Sequence, residues 1–166
     1  MQIAIIDYNA GNIFSVNYAL KRLGIEAVIT SDKELIAKAD KVIFPGQGEA
    51  HSTMQYLRKT GIDQLILDLK QPVLGICIGM QLMCSHSEEG DTDCLGIFEA
   101  QVKRFIPQKH EDKVPHMGWN NLQNTKGDLF KENMDGQFVY FVHSYYVTLN
   151  KYTTATSEYI HIFACF

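Results

Sequence analysis

The sequence predicts an α/β protein: a doubly wound, mostly parallel sheet with added antiparallel strands in its C-terminal half. Three observations carry that prediction. Over the first half of the chain, short apolar runs alternate with helical periodicity, the pattern of βαβ units closing on a parallel sheet. The second half changes to brief β-type runs separated by turn-rich pieces. Between them lies Gly75-Ile76-Cys77-Ile78-Gly79, where an apolar run meets a tight turn and a helical pattern begins.

Taken in order, Gln2 to Asp7 is a continuous apolar run and reads as a central parallel strand. Ala10-Gly11-Asn12 breaks it, and Ile13, Val16, Leu20 and Leu23 then recur at helical spacing until Gly24 ends the helix. Glu26 to Thr30 is the second strand. Ser31-Asp32-Lys33-Glu34 has capping-box spacing and opens a short helix through Ala39. Lys41 to Phe44 is the third strand and ends at Pro45-Gly46-Gln47-Gly48. Helices are expected from Glu49 to Lys59 and from Ile62 to Lys70, and Pro72 to Ile76 is the fourth strand. From Leu95 onward the runs Glu99 to Phe105, Lys113 to Leu122, Gln137 to Phe141, Tyr145 to Leu149 and Thr153 to Ile160 are expected as antiparallel or mixed strands, some extending the main sheet. No repeat or linker divides the chain, so residues 1–166 read as one domain.

A chain of 166 residues with 46% hydrophobic and 20% charged residues has the composition of an ordinary soluble globular protein. A formal charge of −4 gives no support for nucleic acid or an anionic membrane as partner. No apolar stretch is long enough to span a bilayer, and Met1 to Asp7 lacks the basic start of a signal peptide. Cys77, Cys84, Cys94 and Cys165 show neither C-x-x-C pairing nor a ligand-spaced histidine pair. Neither metal nor cofactor is expected, and the thiols fit a reducing cytoplasm.

The turn at Cys77 is the thiol counterpart of the G-x-S-x-G nucleophile elbow. A sharp strand-to-helix turn crowds its neighbours, so the positions two before and two after the nucleophile must be small. It also places the sulfur at a helix N-terminus, where free N–H groups are expected to favour thiolate. A buried structural cysteine is the plainer alternative. In open α/β sheets ligands gather at the carboxyl ends of strands, where Asn9 to Asn12, Pro45 to Gly48 and Cys77 converge. Gly46-Gln47-Gly48 could turn N–H groups toward an oxyanion beside the sulfur, or be an ordinary tight turn. Spacing selects no general base among His51, His86, His110, His116, His143 and His161, although His143 lies just past a strand. Trp119, within Val114-Pro115-His116-Met117-Gly118-Trp119-Asn120, reads equally as part of a docking surface or as a buried aromatic.

Five stretches together resemble the class I glutamine amidotransferases. They are Tyr8-Asn9-Ala10-Gly11-Asn12-Ile13, Pro45-Gly46-Gln47-Gly48, Gly75 to Leu82, Pro115 to Asn120, and Tyr140-Phe141-Val142-His143-Ser144-Tyr145. Within that family the His116 to Asn120 loop is similar to that of the glutaminase subunits of imidazole glycerol phosphate synthases. The resemblance implies a flavodoxin-like fold in which Cys77 attacks the side-chain amide of glutamine and releases ammonia. It implies backbone oxyanion positions at Gly46, Gln47 and Ile78, and a glutamine pocket lined by Met80, Gln81, Ser144 and Tyr145. It implies further that Asn12, Met117, Gly118, Trp119 and Asn120 face a (β/α)8-barrel synthase subunit in a cytoplasmic heterodimer of histidine biosynthesis.

One departure from the family bears on the chemistry. A His-Pro-Glu run near the C-terminus supplies the family's base and its orienting carboxylate, and no His-Pro-Glu occurs here; the His-x-Glu at His86-Ser87-Glu88 lies directly after the elbow helix and not at that place. The expectation is that residues between 161 and 162, and others after 166, are missing from the sequence, and that neither His143 nor His161 takes the base's place. The other readings are a non-catalytic amidotransferase-like interaction protein, the glutaminase of another two-subunit amidotransferase such as pyridoxal phosphate synthase, and a cysteine peptidase on a related fold.

Overall fold

In the computed structural model, which describes residues 1–8, 13–130 and 134–165, the apolar runs of the first half pair in parallel. The elements are β1 (Ile3–Ile6), α1 (Ile13–Arg22), β2 (Ala27–Thr30), α2 (Lys33–Lys38), β3 (Lys41–Phe44), α3 (Ala50–Thr60), α4 (Ile62–Asp68) and β4 (Val73–Gly75). They give a four-stranded sheet in the order β2-β1-β3-β4. Both faces of β1 and β3 are covered, which is why these strands read as unbroken apolar runs. Ala4, Ile6, Val42 and Phe44 pack with Met54, Leu57, Ile62 and Ile66 of α3 and α4. Ile3, Ile5 and Ile43 pack on the other face against Ile13, Val16 and Leu20 of α1. The cap of α2 is Asp32 and not Ser31: its carboxylate accepts the N–H groups of Glu34 and Leu35 at 2.8 and 3.2 Å.

The second half comprises α5 (Ile78–Leu82), β5 (His86–Ser87), β6 (Thr92–Asp93), β7 (Gln101–Arg104), β8 (His116–Asn121), β9 (Phe138–His143), β10 (Tyr145–Val147), β11 (Thr156–Tyr159) and β12 (His161–Ala164). Among the described residues, none of these strands extends the parallel sheet, contrary to expectation. They form a six-stranded sheet, β11-β12-β10-β7-β5-β6, and a separate two-stranded ribbon, β8-β9. The reason lies in the packing. Val102, Val147 and Ala164 close their own core on Cys84 and Ala100, which follow α5, and so tie this sheet to the elbow helix. The short strands β5 and β6 have no counterpart in the sequence pattern, since two-residue strands leave no periodicity to read. The expected strand from Thr153 narrows to β11, and Ile160, at φ 58°, turns the chain into β12. His161 and Ile162 are consecutive there, opposite Tyr159 and Glu158. Asn9 to Asn12 lie outside the described residues.

Candidate active site

Cys77 stands between β4 and α5 with φ 54° and ψ −117°, a backbone conformation an L-residue adopts only when its surroundings enforce it. The enforcement is steric. A Cβ on Gly75 would sit 2.8 Å from the Cα and N of Met80, and one on Gly79 would collide with the carbonyl of Phe44. The two small positions around the cysteine are therefore required by backbone contact. Gly46 is fixed in the same way, since a Cβ there would strike Ile78 and the Tyr8 hydroxyl. Tyr8 is buried behind the elbow, its ring 5.2 Å from that of Phe44 and its hydroxyl donating to the Pro45 carbonyl. Burial, and secondarily the neighbouring thiol, push its phenol pKa up.

The electrostatics of the thiol differ from expectation. Cys77 is exposed at the surface, and its sulfur accepts the Ile78 N–H, which favours thiolate. Partial desolvation of the sulfur is nevertheless the largest influence, and the Glu89 carboxylate adds to it, so the pKa lies above the usual 9.0. A helix of five residues has too little dipole to reverse that. Cys84, Cys94 and Cys165 are pushed up to about 12, 11 and 12, chiefly by burial.

A mostly apolar cavity of about 520 Å³ opens beside Cys77, between α5 and strands β9, β10 and β12. Met80, Gln81 and Tyr145 line it with the cysteine, and Gln81 is buried. Gly46, Gln47 and Ser144 are not part of its wall: Gly46 packs against Ile78 and Gly79 of the elbow, and Ser144 is the bend between β9 and β10. His143 does reach it, yet both of its nitrogens are engaged. Nδ1 is 2.8 Å from the Tyr145 carbonyl and Nε2 is 3.0 Å from Nδ1 of His116. Among the described residues no histidine hydrogen-bonds the Cys77 sulfur. His161 packs instead against Tyr146, with ring centroids 5.9 Å apart.

On the ribbon the buried-aromatic alternative is overturned. Trp119 is 69% exposed, and it meets Tyr140 edge to face at 5.5 Å. Met117, Val142 and Phe138 are exposed as well. The register pairs Met117 with Val142 and Trp119 with Tyr140, so these side chains share one outward face of the pleat. Asn120 faces inward and donates to the Glu158 carbonyl at 2.7 Å, and Gly118 adopts φ 155°.

Sequence reasoning missed three things. Tyr8 supports the elbow from behind. Glu89, half-buried, accepts the Ala50 N–H at 3.0 Å and acts on the thiol. The third is the His116–His143 pair. The Ser-Glu-Glu run at Ser87 offered the only hint of Glu89, and nothing local pairs residues 27 apart.

Strand, strained cysteine, short helix and crowding glycines together define a class-I glutamine amidotransferase. The profile described as "Glutamine amidotransferase class-I" matches residues 4–164, and the chain belongs to that family. Over 164 residues the chain is 63% identical to the "Imidazole glycerol phosphate synthase subunit HisH" of Bacteroides thetaiotaomicron, covering 99% of this chain and 84% of the relative. The protein of the same name from Idiomarina loihiensis is 45% identical over 164 residues, covering 99% and 82%. A solved structure described as a glutamine amidotransferase superposes with a TM-score of 0.70 at 19% identity, covering 98% of this chain and 87% of that one, and supports the fold.

Proposed function

We propose that this protein is the glutaminase subunit of an imidazole glycerol phosphate synthase. The observation that carries the reading is the strained Cys77 elbow at a cavity mouth, in a chain 63% identical to a subunit of that name. In the reaction proposed, the Cys77 sulfur attacks the amide carbon of glutamine, the C–N bond breaks, and nitrogen leaves as ammonia after taking up a proton. Water then hydrolyses the thioester to glutamate and regenerates the thiol. Ile78, Gly46 and Gln47 would offer backbone N–H groups to the tetrahedral oxyanion. Met80, Gln81 and Tyr145, which line the cavity, would hold the substrate, with Ser144 as the bend next to Tyr145.

Ammonia would pass to a (β/α)8-barrel synthase subunit, in a cytoplasmic heterodimer whose lyase chemistry serves histidine biosynthesis. Met117 and Trp119 are the proposed contact residues on the outward face, with Gly118 and Asn120 holding the ribbon behind them and Asn12 proposed as a further contact. The exposed Met117–Trp119–Tyr140 face supports this, because a contiguous apolar patch on a two-stranded ribbon has the make-up of an interface core. A closed path matters because ammonia reaching water at neutral pH becomes ammonium and loses its nucleophilic lone pair.

The test is labelling with a glutamine-mimicking electrophile. Modification confined to Cys77 and blocked by glutamine is expected, with a rate that climbs as pH rises toward 9, because the thiol is held above its usual pKa. Equal labelling of Cys84 or Cys94, or no protection by glutamine, would count against the assignment. The committed nitrogens of His143 favour a second outcome for a chain of residues 1–166 alone. Such a chain would bind the substrate and release ammonia slowly, as a partner-binding domain more than a working enzyme. Brisk ammonia release from it would refute that reading.

A further inference from the structure

We propose that His116 and His143 are positioning residues that lock the turn at Ser144 and so set Tyr145 at the wall of the glutamine pocket. The proposal rests on the functional reading above. Ser144 is where the chain leaves the β8-β9 ribbon and enters the six-stranded sheet as β10. The two sheets are also tied where Asn120 donates to the Glu158 carbonyl and where Gln123 bridges Thr156, and Ser144 is their covalent junction. The His143 imidazole bridges that residue, with Nδ1 2.8 Å from the carbonyl of Tyr145 two positions on. A carbonyl only accepts, so Nδ1 carries the proton and Nε2 is left as an acceptor. Nε2 lies 3.0 Å from Nδ1 of His116, which must then be the donor. His143 is thus the neutral Nδ1–H tautomer and His116 carries a proton on Nδ1, and one directed chain runs from β8 through β9 to β10.

The surroundings hold this arrangement in place. His116 is buried, stacked on Tyr159 at 4.0 Å and on Phe141 at 5.1 Å. His143 lies 5.2 Å from Phe105 and 5.1 Å from Phe163. The titratable groups facing the pair are Tyr159 from β11 and, beyond Phe105, Tyr146 from β10, with Glu88 and His161 acting on Tyr146 from its far side. Among the described residues no carboxylate is in contact with either imidazole to stabilise a positive charge. A proton on His143 Nε2 would turn the acceptor into a donor and set two N–H groups against each other, releasing the clamp. The depressed pKa values of both rings agree with that cost.

The experiment measures glutamine affinity by calorimetry for the wild-type chain, His116→Phe and His116→Asn, alongside nitrogen-15 spectra of the imidazoles. Phenylalanine keeps the stacking but has no donor, whereas asparagine places an amide N–H near the position of Nδ1. One lost hydrogen bond predicts about 3- to 10-fold weaker binding for His116→Phe and recovery to within about 2-fold for His116→Asn. Wild-type affinity should hold through pH 6.5 and fall only at lower pH, because both rings are kept below the ordinary imidazole value, and His116→Phe should flatten that dependence. If His116→Phe does not fold, the wild-type tautomers and pH profile decide. Wild-type-like binding by a folded His116→Phe, an Nε2–H tautomer on either ring, or a pH-independent wild-type affinity would each overturn the proposal. A wild-type chain that neither binds glutamine nor is labelled at Cys77 overturns the functional reading and this proposal with it.

Discussion

The elbow can be tested by adding a single methyl group. Gly79 lies in α5 without a positive φ, so space alone decides what the position tolerates. A Cβ there would overlap the Phe44 carbonyl oxygen and come within 2.9 Å of its carbon and 3.1 Å of the Pro45 oxygen. All three are backbone atoms at the end of β3, and Phe44 is fully buried, so no flexible side chain can give way. Relief requires prising α5 off β3. Overpacking of this kind costs about 1–3 kcal/mol when side chains can adjust. A backbone obstacle places Gly79→Ala at about 3 kcal/mol or more, equivalent to a melting-temperature loss of about 6–12 °C for a chain of this size. Gly96→Ala is the control. That glycine has φ 69° with nothing within 4 Å of where the methyl would stand, so only the left-handed backbone is penalised, by about 1 kcal/mol. Urea unfolding of both variants gives the comparison. A Gly79→Ala chain within about 0.5 kcal/mol of wild type, or one more stable than Gly96→Ala, would refute the steric account of the elbow.

Three further outcomes are expected. Cys77→Gly should raise stability by about 1 kcal/mol, because glycine relieves the φ 54° strain at some cost in unfolded-state entropy; chemical denaturation measures it, and a loss of stability would contradict the strain. Acid should destabilise the fold through His116, whose pKa is lowered from 6.5 to about 4, first by burial and then by His143. The unfolded chain binds that proton more readily, so the contribution is whole above pH 6.5 and is lost as pH falls through about 4, on the order of 2–3 kcal/mol; thermal melts of wild type and His116→Phe across that window should diverge. Trp119→Ala should change stability by less than about 0.5 kcal/mol, since the side chain is 69% exposed, yet weaken binding to the proposed barrel subunit by about 2 kcal/mol or more; equal affinity in a pull-down titration would remove Trp119 from the proposed interface.

What the sequence determined by itself follows from short-range physics. The parallel strands, their order of appearance and the helices between them are written in unbroken apolar runs and 3.6-residue spacing. The elbow is legible as two glycines flanking a cysteine; Gly75 is required by Met80 five residues on, whereas the atoms Gly79 must clear, Phe44 and Pro45, come from the end of β3. What only the tertiary structure decided depends on long-range contact. The partition of the C-terminal strands into two sheets, the exposure of Trp119 and the His116–His143 pair required residues far apart in sequence to be brought together. The thiol's raised pKa belongs here as well: helix position alone predicts thiolate, whereas the protein packed around the sulfur and the carboxylate of Glu89 decide the balance the other way. Desolvation and charge are summed over everything nearby, and neighbourhood in space is not readable from neighbourhood along the chain.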